Sequence, residues 1–309
     1  MPVQRKSNDP GLSEKYFSRT KRIINNDGSF NITRMGTGFS IWDIYQYLVN
    51  LTWPRFISAV MGFYFLINCS YAFLYFITGI DGVHGARGVS TLDTLVNLFF
   101  FSVQTISTVG YGNKAPRGLP ANIIVTFETL TGLLGFALVT GLLYGRFSRP
   151  TARILYSKKA LVSPYQDKKS FQFRIANQRS NALLEVEAKV MVAFVENNNG
   201  TSKREYYNLT LERSYIYFFP LSWTIVHPID EDSPFWNKTA EDLQKLETEI
   251  LILIKGYDDI FSQYVHSRFS YRFDEIIWGA RFKPAFFIDN NGDVIIDLRN
   301  LHNYETAAD

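Results

Sequence analysis

Thr108-Val109-Gly110-Tyr111-Gly112 stands between two long apolar runs and directly follows a third, shorter one. Residues 56–80 (FISAVMGFYFLINCSYAFLYFITGI) contain no Asp, Glu, Lys or Arg. As a helix rising about 1.5 Å per residue, this run crosses a hydrocarbon core of about 30 Å. Residues 119–145 form a second span whose single charge is Glu128, and Pro120 suits its first turn, where a missing N–H costs nothing. The segment 91–107 (TLDTLVNLFFFSVQTIS) is barely long enough to cross, and Ser90 with Asp93 can cap its start. A helix that enters from outside and stops halfway accounts for it, with the pentapeptide as its exit.

Non-helical backbone at membrane depth is tolerated only where it lines a pathway or is buried in protein. Glycines at 110 and 112 allow the positive dihedrals that would aim successive carbonyls at one axis. Such carbonyls, with the Thr108 hydroxyl, replace the hydration oxygens that a potassium ion must shed. The expected ion positions are Thr108, Val109, Gly110 and Tyr111, with potassium as the permeant ion and no cofactor. One chain supplies one loop, so four copies are needed to close the ring. The helix ending at Ser107 would point its negative end at the cavity.

The chain has 309 residues and a formal charge of +3, which argues against a nucleic-acid partner. A single cysteine, Cys69, excludes an internal disulfide and is most simply a buried residue of the first span. Mean hydropathy is near neutral (−0.07) because the chain averages two unlike halves. Arg5, Lys6, Lys15, Arg19, Lys21, Arg22 and Arg34 precede the first span. Arg146, Arg149, Arg153, Lys158 and Lys159 follow the second, with no acid between 146 and 159. Both flanks are therefore expected on the cytoplasmic side. The first 40 residues are polar and lack the apolar core of a signal peptide. Within 41–53, Ile41, Ile44, Tyr45, Leu48 and Val49 share one face, as in an amphipathic helix at the membrane surface.

From about residue 151 the chain reads as strands, at 183–195, 205–213, 215–219, 249–255 and 282–288. Asn290-Asn291-Gly292 marks a hairpin, and Thr239 with Asp242 a capped helix near 239–248. The pattern predicts an antiparallel sandwich. The fold class is thus membrane α plus soluble β. It is divided into a cytoplasmic segment 1–40, a pore domain 41–147 and a cytoplasmic β-domain 148–309. The pore domain comprises a surface helix 41–53, an outer helix 54–80, a pore helix 91–107, a filter 108–112 and an inner helix 119–147.

The chain resembles the prokaryotic inward-rectifier potassium channels (the KirBac family) along most of its length. The resemblance is carried by the filter, by Asp27-Gly28 and Asn31-Ile32-Thr33-Arg34, and by Arg149-Pro150. It is carried most specifically by Trp223-Thr224-Ile225-Val226-His227-Pro228-Ile229-Asp230-Glu231-Asp232-Ser233-Pro234 and by Asp274-Glu275-Ile276-Ile277-Trp278-Gly279. It implies a homotetramer in a bacterial plasma membrane, with both termini cytoplasmic and an immunoglobulin-like cytoplasmic domain extending the pore. It also implies modulation by anionic lipid headgroups at Arg146, Arg149, Arg153 and Lys158, polyamines or magnesium as blockers, and a voltage-gated channel. Phe136 and Tyr144 match the family's constriction sites, and Glu185 and Asp259 match positions lining its cytoplasmic pore. Strongly rectifying relatives carry an acid where this chain has Phe136.

Glu128 is the one ionisable residue inside a span. It is expected level with the filter, either supporting it from behind or facing the cavity as a cation attractor. Gly132, Gly135, Gly141 and Gly145 suit close helix packing or a hinge. The alternatives are a ligand-gated potassium channel without marked rectification, a non-selective cation channel, and a membrane-anchored enzyme or receptor. For the last, 151–309 offers no nucleophile–base spacing, phosphate loop or metal motif.

Overall fold

The computed structural model describes residues 6–13, 22–36, 41–148, 152–198 and 201–307. Contacts divide the chain into one unit of residues 36–149 and another of residues 1–35 with 150–309.

The first unit is helical: α1 Ile41–Asn50, α2 Trp53–Thr78, α3 Thr91–Ile106 and α4 Leu119–Phe147. The surface helix is shorter than 41–53, because the chain turns extended at Thr52 (ψ 151°) and restarts with Pro54 in the first turn of α2. Most of the apolar surface of α2 and of α4 is left exposed by the chain itself, unlike that of a core helix in a soluble protein. Cys69 is exposed on α2 rather than buried as expected. The Ser90 hydroxyl accepts from the Asp93 N–H at 3.1 Å, and Asp93 Oδ2 accepts from the Val89 N–H at 2.9 Å. These two bonds start α3 where the sequence places its cap. Ala72, Tyr75, Val83, Leu98 and Phe101 then pack α3 against α2. After the pentapeptide, Ala115–Pro116 pairs antiparallel with Val83–His84.

The second unit is a two-sheet sandwich. The six-stranded sheet runs Lys6–Ser7, Thr201–Asn208, Leu183–Asn198, Glu249–Asp258, Gln263–Arg272, with Tyr215–Phe218 also paired to Leu183–Asn198. The five-stranded sheet runs Ser222–Ile229, Lys168–Asn177, Ala160–Tyr165, Ile276–Trp278, with Ile154–Tyr156 also on Lys168–Asn177. Phe171, Phe173, Ile175 and Ile225 from one sheet meet Val190, Val192, Ile250, Ile252 and Tyr271 from the other in one core. The sandwich is not wholly antiparallel as expected, since Ile276–Trp278 runs parallel to Ala160–Val162. The capped helix is α5 Ala240–Lys245, with Thr239 and Asp242 forming the reciprocal box. The expected hairpin joins Phe286–Ile288 to Val294–Ile296. The segment expected as one strand over 282–288 is two, because Lys283-Pro284 separates Ala280–Phe282 from Phe286–Ile288.

Two polar contacts hold the loops. Glu249 is buried, and its carboxylate accepts from the Ile23 and Ile24 N–H groups at 3.0–3.3 Å. It thereby docks the N-terminal segment on the six-stranded sheet. Within the 223–234 motif, buried His227 bonds through Nδ1 to the Thr210 carbonyl at 2.7 Å and through Nε2 to the Ser233 hydroxyl at 2.8 Å. The motif therefore folds into a satisfied corner. Burial holds the His227 imidazole below its ordinary range.

A histidine with a depressed folded value binds its proton more readily when unfolded. Its contribution to stability is present at alkaline pH and is lost as pH falls through the ordinary imidazole range. The thermal midpoint of the purified chain in detergent should fall on acidification across that range. His227→Gln should remove part of that slope, and an identical slope in the variant would contradict the assignment.

Candidate permeation site

The pentapeptide leaves α3 with its handedness alternating. Thr108, Gly110 and Gly112 have positive φ (58°, 52° and 80°), whereas Val109 and Tyr111 do not. In an extended strand successive carbonyls point to opposite sides. Left-handed dihedrals at every second residue rotate alternate peptide planes back, so the oxygens can line one side. The sequence announces Gly110 and Gly112 for this role. It does not announce Thr108, a β-branched residue in a region such residues avoid. The end of α3 holds the turn: Thr108 N–H donates to Thr105 O at 3.0 Å, and Val109 and Gly110 N–H donate to Gln104 O at 3.0 and 3.4 Å. On the far side, Lys114 Nζ donates to Asn97 O and Oδ1 on α3 at 2.9 and 3.1 Å. Val109 and Tyr111 are exposed side chains of the single chain.

Glu128 is fully buried, as are Asn68 and Ser102, with Tyr75 nearly so. Its carboxyl oxygens meet the hydroxyls of Tyr75 on α2 and Ser102 on α3. Ser102 Oγ also meets Asn68 Oδ1 at 3.0 Å, and Asn68 Nδ2 donates to Tyr64 O at 2.7 Å. Glu128 thus abuts α3 at Ser102, six residues before the pentapeptide begins. Of its two expected postures, the inward structural one is observed. Asn68, Tyr75 and Ser102 escaped the sequence reading. Their signal was present, since Asn68, Tyr71 and Tyr75 fall three and four residues apart on one face of an otherwise apolar helix.

The four glycines of α4 divide into two kinds. A Cβ on Gly132 would lie 2.6 Å from the Ile106 carbonyl oxygen, and one on Gly145 2.6 Å from the Tyr45 hydroxyl. Gly135 and Gly141 have open space around them in the single chain. Gly132 therefore lets α4 touch the end of α3, and Gly145 lets α1 touch α4. Phe136 and Tyr144 are 76% and 75% exposed, so neither is used in packing the chain against itself.

Arg146 is not a free cation. Its guanidinium donates to Leu48 O, Val49 O and Leu51 O at 2.7–2.8 Å, and it lies 4.7 Å from the Trp53 ring centroid and 4.4 Å from that of Phe56. It satisfies the orphan carbonyls at the end of α1. This leaves little of it for a lipid headgroup, a correction to its expected place in the lipid cluster. Arg149 lies outside the described residues. In the sandwich unit, Arg153 is exposed, Lys158 N–H donates to His302 Nδ1 at 3.3 Å, and Lys159 Nζ donates to Asp274 O at 3.0 Å.

Glu185 and Asp259 come to the same end of the paired strands Leu183–Asn198 and Glu249–Asp258, both exposed. Glu185 has a positive φ (49°) and sits where the register shifts between Lys255 and Tyr257. It accepts from the Tyr264 hydroxyl at 3.1 Å, and that bond raises the phenol above its ordinary value.

Comparison with known proteins adds two family models. Residues 154–308 match the inward rectifier potassium channel C-terminal domain, and residues 56–149 match a family described as ion channel. The chain is 40% identical to the inward rectifier potassium channel Kirbac3.1 of Paramagnetospirillum magnetotacticum, across 92% of this chain and 96% of the relative. It is 25% identical to the human G protein-activated inward rectifier potassium channel 2, across 94% of this chain and 74% of that one. It is also 27% identical to the mouse G protein-activated inward rectifier potassium channel 4, across 70% and 54% respectively.

Gly132→Ala should push α3 and the pentapeptide out of place, with an overpacking cost of about 1–3 kcal/mol per chain. Cation discrimination and thermal midpoint, measured beside Gly62→Ala as an uncrowded helix control, should both drop in Gly132→Ala. Equal behaviour of the two variants would show that the close approach is not needed.

Proposed function

Because this chain belongs to the inward-rectifier potassium channel family and is a membrane potassium channel rather than an enzyme, we propose that four copies assemble around 108–112 as a passive, potassium-selective pore. The observation that supports this reading is the alternation of positive φ at Thr108, Gly110 and Gly112. In a tetramer it stacks carbonyl rings that replace a potassium ion's hydration shell. Glu128, Ser102, Tyr75 and Asn68 support the filter through α3. Phe136 and Tyr144, unspent in the chain's own packing, supply rings of apolar side chains that gate by dewetting.

The basic flanks support a reading with both termini in the cytoplasm, and the bacterial relative supports a bacterial plasma membrane for the channel. Anionic headgroups are met by Arg149, Arg153 and Lys158, while Arg146 holds α1. Glu185 and Asp259 form an acidic ring on the cytoplasmic path that concentrates cations. Polyamine or magnesium block is weak, because Phe136 presents no carboxylate. Voltage gating is not part of this reading. α2 and α4 carry one cation each, Arg55 and Arg146, near a helix end. Neither has the row of arginines that moves in a membrane field.

The direct test is rubidium uptake against sodium in liposomes with and without anionic lipid. Gly110→Ala should abolish rubidium flux while leaving the tetramer intact. Space is open at Gly110, so the effect is backbone conformation, of order 1 kcal/mol in each of four chains. Normal selective flux in that variant would remove 108–112 as the filter.

Phe136→Asp should hydrate the constriction and add a ring of carboxylates in a low-dielectric wall, where attraction exceeds its value in water. Higher basal flux and stronger spermine block from the cytoplasmic side are expected. Block no stronger than wild type in patches that conduct would mean that Phe136 faces away from the ions.

A further inference from the structure

We propose that Glu128 is present as the neutral acid and donates a hydrogen bond to Ser102, closing a chain of single protons that ties α3 to both spanning helices. The inference deepens the filter-support reading given above, and it rests on that reading only for its flux measurement.

The argument is a count of protons. Ser102 Oγ touches two oxygens, Asn68 Oδ1 at 3.0 Å and Glu128 Oε1. A hydroxyl has one proton to give. The orientation of Asn68 is fixed by its other end, where Nδ2 donates to the Tyr64 carbonyl at 2.7 Å. Turning the amide over would set two oxygens against each other there. Asn68 Oδ1 is therefore an acceptor, and the Ser102 proton belongs to it. Ser102 then offers Glu128 only a lone pair, so the proton in that contact comes from Glu128 itself. Glu128 Oε2 accepts from the Tyr75 hydroxyl. In this arrangement each oxygen–oxygen contact of the chain holds one hydrogen.

With Glu128 ionised the count fails. One of the two oxygen pairs at Ser102 is left without a hydrogen, in a place sealed from water. Among the described residues the carboxylate's partners are two hydroxyls and no cation. Among the described residues, the titratable groups bonded to this side of α4 are the phenols of Tyr75 and Tyr71 on α2, the latter bonded to Thr131 at 2.8 Å, and α3 presents Ser102. An unpaired buried carboxylate costs far more than a hydrogen-bonded neutral acid. The neutral acid also leaves no fixed negative charge behind the filter to compete for its ions. Glu128, Ser102, Tyr75 and Asn68 are thus positioning residues, acting on permeation through α3.

Infrared spectra of the full-length channel in liposomes test the proton directly. At neutral pH the wild type should show a carboxylic-acid carbonyl band that Glu128→Gln lacks. Glutamine can donate to Ser102 and accept from Tyr75. It should therefore restore rubidium flux to within about twofold of wild type with sodium still excluded, whereas Glu128→Leu and Ser102→Ala should lose about tenfold or more. Where Glu128→Leu fails to assemble, the band and the glutamine variant decide the matter. Absence of the band, or a glutamine variant as impaired as leucine with its tetramer intact, overturns the proposal. A wild type that shows the band but carries no rubidium would instead overturn the channel reading and leave the proton assignment standing.

Discussion

Everything in the helical unit answers to one constraint. In the pore proposed above, a stretch of backbone without helical hydrogen bonds has to sit at membrane depth and still be held. Water cannot satisfy it there, and an unsatisfied peptide group in hydrocarbon costs several kcal/mol. The solution is to borrow the end of α3. Its last turn leaves carbonyls without helical partners, and Gln104 O and Thr105 O take the N–H groups of 108–110. In the proposed filter the carbonyls of 108–112 are then left to face ions. Whatever fixes α3 therefore fixes the filter. The Ser90–Asp93 cap starts it, the Lys114–Asn97 bonds tie back the chain that leaves, and the close approach at Gly132 sets its end against α4.

The same logic explains why a span that is otherwise apolar tolerates Asn68, Tyr71 and Tyr75. A sheath of leucines would bury α3 equally well, but dispersion is nondirectional and permits rotation about the helix axis. A hydrogen-bonded set with one proton per contact has a single geometry. Gly145 and Arg146 serve a parallel purpose at the opposite end of α4. There a ten-residue helix, too short to be stable alone, is held by its terminal carbonyls and by a hydroxyl that a side chain at 145 would exclude.

How much of this was legible depended on whether the signal was local. The spans were plain, because an uncharged run of that length has few other uses. The start of α3 was plain, because a cap is written in adjacent residues. Lys168–Asn177 and Gln263–Arg272 were missed as strands although Phe171, Phe173 and Ile175, and Val265, Phe269 and Tyr271, keep the period-two pattern of a half-buried strand; what stayed hidden is that the polar residues between them have partners remote in sequence. Arg174 is buried against Thr224, the Lys283 carbonyl and the Phe282 ring. Ser222–Ile229 was hidden by Pro228, a residue that argues against a central strand. It stands at the open edge of its sheet, where a missing N–H removes no ladder bond. The role of Arg146 was unreadable for a similar reason. A cation after a span is a topology signal in sequence, and only folding brings the end of α1 to its guanidinium.

Thr108 shows where local rules give way. A β-branched residue at φ 58° contradicts its own preference, and a glycine there would relieve the strain. A glycine would also remove the hydroxyl that contributes the innermost oxygen ring of the proposed filter. The conflict is settled in favour of the ligand, because the cost per chain is of order 1 kcal/mol or somewhat more, and the bonds from Thr105 O and Gln104 O on either side hold the turn in place. Glycine appears at 110 and 112, where only the backbone carbonyl is asked for. The residue types along the filter thus follow from which atom each position lends to the ion.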